Sequence, residues 1–320
     1  MFARTEKRHF SEGFRAFIGC ISIAVLLVGA PTVVARAQEA PSCGYLPATI
    51  IGTEEDDVLV GTDEQDSIVG LGGDDVIRGL NNSDRLCGGD GSDTIYGGEG
   101  YDWFEADAGD DVVRDRDHIG GTLGAGDDSV ERASFAIGGP GNDTIIGFRY
   151  GTPAEFHGGP GDDVLVGSDA CVECAGDGDH LYGGVGDDVI RGRSRLNYIT
   201  PGPGRDTVDM GERRLTWSGV LNYTEAERGV TVDLRRGIVT GQGRDRLLGV
   251  VTVVYGSDFD DVLLGRQERQ FLWGYEGNDV INGRAGDDGL AGGPGFDRVT
   301  GGKGKDTCGG EIKKLCEYEN

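Results

Sequence analysis

The sequence predicts an all-β fold built from a short repeated unit, and three observations support this prediction. From Gly52 onward, much of the chain divides into blocks of nine residues. The blocks share an aspartate at the sixth position and an apolar residue at the eighth. Glycine accounts for 60 of the 320 residues and recurs at the first, second and fourth positions. A fixed period of this kind is typical of solenoids and repeat arrays rather than of ordinary globular domains.

The first 37 residues are predicted to be a secretory signal peptide. Basic residues precede an apolar run from Ala16 to Ala30, and the sequence Ala35-Arg36-Ala37 provides a small-x-small cleavage motif. A membrane anchor is the alternative, but the run is too short to span a bilayer comfortably. We therefore expect cleavage after Ala37 and a secreted, extracellular mature chain without a membrane span.

Residues 38–51 are predicted to form an N-terminal cap, and residues 52–209 to form a first repeat array. The seven blocks of residues 52–114 are unbroken, and all of them keep both rules. A disordered acidic tract has no reason to place one apolar residue at a fixed offset from one aspartate. The sixth positions of these blocks are Asp57, Asp66, Asp75, Asp84, Asp93, Asp102 and Asp111.

The pattern continues beyond these blocks with changes of spacing. Asp111 and Asp128 are 17 residues apart rather than 18, and Asp143 and Asp163 are 20 apart, so we expect bulges or small insertions that interrupt the stack. The later sixth-position aspartates are Asp128, Asp143, Asp163, Asp188, Asp206, Asp261, Asp279, Asp288, Asp297 and Asp306.

Residues 210–255 lack the repeat and are predicted to form a β-hairpin insert. Apolar and polar residues alternate over residues 229–234, and turn residues at 235–237 lead into a second strand. A hairpin flap on one roll and two rolls joined by the insert are both compatible with this pattern. A second array is predicted at residues 256–308, followed by a C-terminal cap at residues 309–320.

Six cysteines follow the predicted cleavage site, and an even number in an exported chain indicates disulfides. The predicted pairs are Cys308 with Cys316, which would cap the C-terminus, Cys171 with Cys174, and, by elimination alone, Cys43 with Cys87.

Each block can be understood as one loop followed by one short strand. The glycines allow positive φ and close backbone approach, so that carbonyl groups can turn inward as ligands. The aspartate adds a carboxylate, and calcium prefers several oxygen ligands in a flexible geometry. The strand carries a single inward apolar side chain, so a block can bury it only by stacking on its neighbours.

The net charge of −26 predicts cations as binding partners of the chain. Such an excess of negative charge disfavours a compact state through self-repulsion unless cations are bound, and it argues against nucleic acid as a partner. Blocks without the aspartate, such as those with Asn197 or Gln270 at the sixth position, are expected to bind a cation weakly or not at all.

Blocks such as GGPGDDVLV (158–166) and GGVGDDVIR (183–191) resemble the RTX, or hemolysin-type, calcium-binding repeat G-G-x-G-x-D-x-U-x. The resemblance covers most of residues 52–308. It implies a parallel β-roll in which two blocks make one turn, with several Ca²⁺ ions held between loops one turn apart. It would place Asp57, Asp75, Asp93 and Asp111 along one edge and Asp66, Asp84 and Asp102 along the other, and it makes all seventeen sixth-position aspartates candidate metal ligands.

The sequence favours a structural or interaction protein over an enzyme. It contains no H-E-x-x-H zinc motif and no G-x-S-x-G nucleophile elbow. His118, His157 and His180 are interpreted as loop residues without an arranged catalytic partner. A calcium-dependent extracellular hydrolase or lyase stays open as an alternative.

A second alternative is an extracellular adhesin, or a surface-layer or matrix component, that binds glycan and uses calcium only as scaffold. Trp103, Trp273 and Tyr275 could form an aromatic surface for such a partner, or they could be isolated aromatic residues on the roll.

Overall fold

The computed structural model describes residues 41–148, 153–169, 178–194, 196–211 and 219–309. Every regular element within these ranges is a β-strand. Among the same residues, no helix has the length and apolarity that crossing a membrane requires. The predicted signal peptide at residues 1–37 and the cysteines Cys171, Cys174 and Cys316 lie outside the described residues.

The described residues form 29 strands, most of them three to six residues long. They are β1 (Ser42–Cys43), β2 (Leu46–Pro47), β3 (Ile50–Ile51), β4 (Val58–Val60), β5 (Ser67–Gly72), β6 (Val76–Asn81), β7 (Arg85–Asp90), β8 (Thr94–Glu99), β9 (Tyr101–Ala108), β10 (Val112–Ala125), β11 (Ser129–Ile137), β12 (Thr144–Gly147), β13 (Glu155–Pro160), β14 (Val164–Val166), β15 (Asp179–Val185), β16 (Val189–Arg191), β17 (Asn197–Thr200), β18 (Thr207–Asp209), β19 (Val220–Asn222), β20 (Thr231–Asp233), β21 (Ile238–Thr240), β22 (Arg244–Leu248), β23 (Val253–Tyr255), β24 (Val262–Leu264), β25 (Phe271–Trp273), β26 (Val280–Ala285), β27 (Gly289–Ala291), β28 (Arg298–Lys303) and β29 (Thr307–Gly309).

These strands stack into a parallel β-solenoid of about 13 turns, which confirms the predicted fold class. Each strand pairs with the strand one full turn away, so that β4 pairs with β6 and β5 with β7. Two sheets result. Sheet A contains β3, β5, β7, β9 and their successors up to β29, and sheet B contains β4, β6, β8 and their successors up to β28. The long strands β10 and β11 contribute one part to each sheet.

The core lies between the two sheets and is built largely from the eighth-position side chains. Ile68, Ile77 and Leu86 are completely buried, and each packs in the same column as the equivalent residue of the next turn. Full burial of such a side chain contributes roughly 1.5–3 kcal/mol relative to its exposure. The core is therefore a one-dimensional stack that no single block could form alone.

The insert forms the predicted hairpin, with β20 antiparallel to β21. The hairpin does not project as a flap. Its strand β20 pairs with β24, while β21 pairs with β22 and β22 with β18, so the insert fills a place within sheet B. Val232 and Val239 are buried in the common core, which is the physical reason why the hairpin lies in the sheet.

The 17-residue spacing produces the expected bulges. The register between β10 and β11 shifts between Arg114 and Ile119 and again between Ile119 and Gly120, and the register between β11 and β12 shifts between Glu131 and Ala133. Pairing resumes after each shift, so here the stack is not interrupted.

A disulfide joins Cys43 to Cys87 and ties the N-terminal hairpin of β1 and β2 to β7 in sheet A. This confirms the pairing inferred by elimination. Cys308 in β29 is also disulfide-bonded, in agreement with the expected disulfide near the C-terminus.

Candidate metal centre

The loops lie on two edges of the solenoid, and the sixth-position aspartates alternate between these edges. We call edge 1 the row of loops that leads into sheet B and edge 2 the row that leads into sheet A. On edge 1, the backbone N–H of Asp57 donates to Oδ1 of Asp75 at 2.8 Å. On edge 2, the N–H of Asp66 donates to Oδ1 of Asp84 at 2.8 Å. Each aspartate is thus held by the loop one turn before it.

On edge 1 the same hydrogen bond continues through the irregularly spaced blocks. It joins Asp111 to Asp128 at 2.7 Å, Asp128 to Asp143 at 3.0 Å and Asp143 to Asp163 at 2.8 Å. The sequence separations are 17, 15 and 20 residues, so the ladder does not depend on a constant repeat length. Before the insert, the ladder of edge 1 runs through Asp57, Asp75, Asp93, Asp111, Asp128, Asp143, Asp163, Asp188 and Asp206.

The second carboxylate oxygen of most of these residues is buried without a hydrogen-bond partner. A buried polar atom left in this state costs about 1–3 kcal/mol, and more when it is charged. Native proteins contain few such atoms, and a regular row of them points to a missing ligand. Fourteen of the seventeen candidate aspartates have this unpaired Oδ2: Asp75, Asp84, Asp93, Asp102, Asp111, Asp128, Asp143, Asp163, Asp188, Asp206, Asp279, Asp288, Asp297 and Asp306.

In eleven of these fourteen blocks the unpaired oxygen lies beside the glycine at the first position, and the other three blocks begin with Ala106, Leu123 and Pro201. A Cβ built on Gly70 would overlap both Oδ2 of Asp75 and the carbonyl oxygen of Gly88, which belongs to the next turn. A side chain at Gly70 would occupy the space that these two oxygens share. A carboxylate and a carbonyl oxygen from successive loops are the ligand types that Ca²⁺ accepts, so the residues present fit this ion.

Three candidate aspartates differ, because hydrogen bonds within their own loops satisfy their Oδ2 or surround their carboxylate. Oδ2 of Asp57 accepts the N–H and the hydroxyl of Thr53 at 2.7 and 2.8 Å. Asp66 is held in the same way by Thr62. The N–H of Ser257 donates to Oδ2 of Asp261, and the serine hydroxyl donates to Oδ1 of the same carboxylate. In each of these loops a hydroxyl residue replaces the second glycine of the block. The demand for a cation is therefore weaker there than at the other fourteen aspartates.

Burial makes the charged form of the stacked carboxylates costly. Desolvation raises the pKa of Asp84 to about 6 and that of Asp102 to about 7. Desolvation, together with repulsion from Asp245 and Asp188, raises the pKa of Asp206 to about 8. A divalent cation between two such groups would turn the repulsion into attraction.

Two further aspartates occupy ladder positions that the sequence analysis missed. Asp245 follows Asp206 on edge 1, where its Oδ1 accepts the N–H of Asp206 at 3.4 Å and its Oδ2 accepts the hydroxyl of Tyr223 at 2.9 Å. The pattern Gly-x-Asp-x-Leu around Asp245 matches the end of a loop and could have identified it. Asp179, on edge 2, is the sixth residue of the nine that precede the block at Gly183, which was also a readable signal.

In the middle of the molecule, edge 2 keeps Asp179 but has other residues at several ladder positions. Ile119 takes the place that follows Asp102, and Ala133 takes the next one. Farther along, Nδ2 of Asn197 donates to the carbonyl oxygen of Met210 at 3.2 Å, and Oε1 of Gln270 accepts the N–H of Arg266 at 3.1 Å. Protein groups thus supply hydrogen bonds to these amide side chains. Edge 1 carries an almost unbroken row of carboxylates and edge 2 an interrupted one.

The histidines lie on strands rather than in loops, so their interpretation as loop residues was wrong. His118 lies in β10, His157 in β13 and His180 in β15. The ring of His157 stacks on Tyr182 at 4.4 Å, and that of His180 stacks on Tyr198 at 4.6 Å. These two histidines therefore stack on aromatic rings of the neighbouring strand in sheet A.

Comparison with known proteins gives three results. The family model of the RTX calcium-binding nonapeptide repeat (4 copies) matches residues 51–86, 88–114, 133–149, 156–170, 175–208, 255–290 and 285–311, which together make up more than half of the chain. Among curated protein sequences there is no significant match. Similar solved structures include the X-ray structure of a hyperactive, Ca²⁺-dependent, β-helical antifreeze protein from an Antarctic bacterium, with a TM-score of 0.39, 16% identity, and coverage of 80% of this chain and 83% of that chain.

The family match and the loop geometry agree on the same residues. The matched segments contain thirteen of the fourteen aspartates with unpaired Oδ2 atoms, and Asp128 lies between two of these segments. The chain belongs to the family of proteins with RTX calcium-binding nonapeptide repeats.

Proposed function

We propose that this protein is a secreted structural or interaction protein whose β-solenoid folds when calcium binds between its stacked loops. The observation that supports this proposal is the row of buried Oδ2 atoms without partners, one per turn, next to carbonyl oxygens of the following loop. These oxygens are costly to bury alone and suit a hard divalent cation.

Coupling between folding and binding follows from this arrangement. A ligand that binds only the folded state stabilises it by RT ln(1 + [L]/Kd) per site, which is about 2.7 kcal/mol when the ligand is at 100 times Kd. Extracellular calcium modules have Kd values of about 10⁻⁴ to 10⁻³ M. A chain with such sites would stay unfolded where calcium is scarce and fold after export, which fits the signal peptide that the sequence predicts.

The test is far-ultraviolet circular dichroism of the mature chain, with calcium and with a chelator. We expect the β signal to disappear in chelator and to return when calcium is added. Magnesium is the matched control, because it demands nearly octahedral geometry at shorter distances and should restore much less signal. An unchanged β signal in chelator would contradict the proposal.

Glycan binding is a second candidate function, supported by one aromatic cluster on sheet A. The rings of Tyr255 and Trp273 stack at 5.0 Å, and Tyr275 lies edge-on to Tyr255 at 6.0 Å. Trp273 and Tyr275 are 38% and 39% exposed, although both are large apolar rings. Trp103 stacks instead with Phe135, so it belongs to a different part of the sheet.

Exposed aromatic rings in a patch are typical of interaction surfaces. We expect the calcium-loaded protein to bind an immobilised polysaccharide, and the Trp273→Ala variant to bind it at least several-fold more weakly. The matched control is Trp103→Ala, outside the cluster. If the polysaccharide retains both variants and the parent equally, glycan binding by this cluster is ruled out.

A further inference from the structure

The first run of loops on edge 2 ends at Asp102, and Asp115 lies where the next loop would begin. Asp115 follows Gly97 by 18 residues, which is one turn of the regular array. It therefore stands at the first position of a block, where the preceding blocks have glycine or alanine. The segments matched by the family model stop at residue 114 and resume at residue 133, so Asp115 lies outside the recognised repeats.

The carboxylate of Asp115 replaces a backbone carbonyl group of the regular sites. A Cβ built on Gly79 would meet Oδ2 of Asp84 and, at 2.6 Å, the carbonyl oxygen of Gly97 from the next turn. A Cβ built on Gly97 would meet Oδ2 of Asp102 in the same way, but its second neighbour is Oδ1 of Asp115 at 3.0 Å. The two carboxylates thus converge beside one glycine.

Both carboxylates are deeply buried and incompletely bonded. Asp102 is 5% exposed and Asp115 is 9% exposed. Oδ1 of Asp115 accepts the N–H groups of Gly98 at 2.8 Å and Arg116 at 2.6 Å, whereas its Oδ2 and that of Asp102 have no partner. Two buried carboxylates thus meet beside Gly97, and each of them keeps one oxygen without a hydrogen-bond partner.

The neighbouring arginines do not neutralise this pair. Arg78, Arg114 and Arg116 line an open cavity of about 370 Å³ beside Asp115. Among the residues that the structure describes, however, none of these guanidinium groups forms an ion pair with Asp102 or Asp115. Arg78 instead lies over the ring of Tyr96 at 5.3 Å. Asp115 is itself one of the residues that line this cavity.

We propose that Asp102 and Asp115 together bind one calcium ion that closes the first run of edge 2, with Asp115 as a ligand from outside the repeat. The inference rests on the proposed calcium-dependent function and adds a site that the repeat pattern does not contain. In the regular sites the next loop supplies a carbonyl oxygen. Here the carboxylate of Asp115 would supply the oxygen instead, so that the row can end without leaving Asp102 unsatisfied.

The test uses a full mature chain with Trp217→Phe and Trp273→Phe, which leaves Trp103 as the sole tryptophan. Because Trp103 directly follows Asp102, Tb³⁺ emission excited through tryptophan favours this site. Calcium bound per chain is counted in parallel by equilibrium dialysis. The variants are Asp115→Asn, Asp102→Asn, the double variant, and Asp117→Asn as the control, since Asp117 is exposed and close in sequence.

We expect Asp115→Asn and Asp102→Asn each to lose the same one calcium ion and a large part of the sensitised emission, with no further ion lost in the double variant. The Asp117→Asn variant should match the parent. An unchanged calcium count, or tighter binding, in Asp115→Asn would overturn the proposal. If the Asp115→Asn variant does not recover its β signal in saturating calcium, the Asp115→Gly variant replaces it, because glycine is the usual residue at this position. The number of calcium ions bound per chain is then the criterion for that variant. Failure of the proposed function is distinct, because the parent itself would then show no calcium-dependent β signal.

Discussion

At the scale of single residues, each aspartate of the ladder has two different oxygens. Oδ1 is fixed by the backbone N–H of the preceding turn, and in most loops Oδ2 has no protein partner. This division explains why the aspartate can be essential to a site without stabilising the fold by itself. At the start of the first array, Oδ2 of Asp57 instead accepts hydrogen bonds from Thr53 of its own loop.

Because Oδ2 is unpaired in Asp93 but bonded in Asp57, we expect a substitution of Asp93 to have opposite effects on stability in calcium and in chelator. In saturating calcium, Asp93→Asn should lower the free energy of unfolding by about 1–3 kcal/mol, because a ligand of the bound ion is lost. In chelator the same change should be neutral or stabilising, because it removes a buried charge that repels its neighbours. Urea unfolding of the parent and the variant in calcium measures the first effect, and the residual β circular-dichroism signal in chelator measures the second, with Asp57→Asn as the control that should depend much less on calcium. A similar loss in both buffers would argue against a calcium ligand at Asp93.

The carboxylates also predict how stability depends on pH without calcium. Burial raises the pKa of Asp93 to about 6, that of Asp111 to about 7 and that of Asp188 to about 7, all above the value of 3.8 for an unperturbed aspartate. Between these values and 3.8 the folded state binds more protons than the unfolded state, so the contribution of these groups is complete below pH 3.8 and is lost as the pH rises through about 6 to 7.

We therefore expect the β signal in chelator to be stronger near pH 4 than at neutral pH, since protons replace the cation there. With calcium present, the apparent affinity should fall as the pH is lowered through the same range, because protons compete for the carboxylates. A calcium titration followed by circular dichroism at several pH values measures both effects. A metal-free chain that is most structured at neutral pH would contradict this explanation.

At the scale of elements, the short strands need both the glycine loops and the apolar column. The first glycine of a block leaves space for two oxygens, and the eighth residue fills the space between the sheets. The hairpin of β20 and β21 shows that a non-repeat segment can join sheet B when it supplies inward side chains at the same level. Val232 and Val239 do so.

Two glycine-to-alanine substitutions test whether the glycine at the first position of a block matters more than a glycine elsewhere in the repeat. Gly88→Ala would place a methyl group against Oδ2 of Asp93 and at 2.8 Å from the carbonyl oxygen of Ala106. We expect weaker calcium binding and a loss of about 1–3 kcal/mol in calcium, a cost typical of overpacking. The control is Gly72→Ala, where the nearest atom is Oε2 of Glu54 at 3.4 Å, an ordinary contact. Equal thermal midpoints for the two variants in calcium would show that the first glycine has no special role.

At the scale of the whole molecule, the two edges are unequal. Edge 1 carries aspartates through nearly all of the described turns, whereas edge 2 has Ile119, Ala133, Asn197 and Gln270 in its middle. Ten of the fourteen unpaired Oδ2 atoms belong to edge 1, so among the described residues most of the candidate ligands for a cation lie along this edge.

The gap in edge 2 can be tested by restoring a carboxylate. The N–H of Gln270 donates to Oδ1 of Asp288 at 2.7 Å, so its loop already has the backbone geometry of the ladder. We expect Gln270→Asp to bind one more calcium ion per chain than the parent, as measured by calorimetric titration. Gln270→Asn is the control, since it shortens the side chain without adding charge. An unchanged ion count in Gln270→Asp would show that position six alone does not make a site.

Much of the fold was predictable because its determinants are local. The nine-residue period, the buried apolar column and the glycine loops repeat within a few residues, and the family resemblance supplied the two-block turn. The same pattern identified the candidate aspartates, but it could not distinguish Asp57 from Asp75, because that difference depends on whether a hydroxyl side chain reaches Oδ2.

The sequence by itself determined the repeat, the type of ligand atoms and the all-β architecture, because these follow from which residues recur at a fixed spacing. Only the tertiary structure decided which residues meet across turns of unequal length. Asp245 contacts Asp206 across 39 residues, the insert enters sheet B, and Asp115 converges with Asp102 where the repeat ends. These contacts depend on how the stack accommodates bulges and inserts. The physical reason is that each turn packs on the turn before it whatever the number of residues in the turn, so the spacing in the sequence does not show which residues meet.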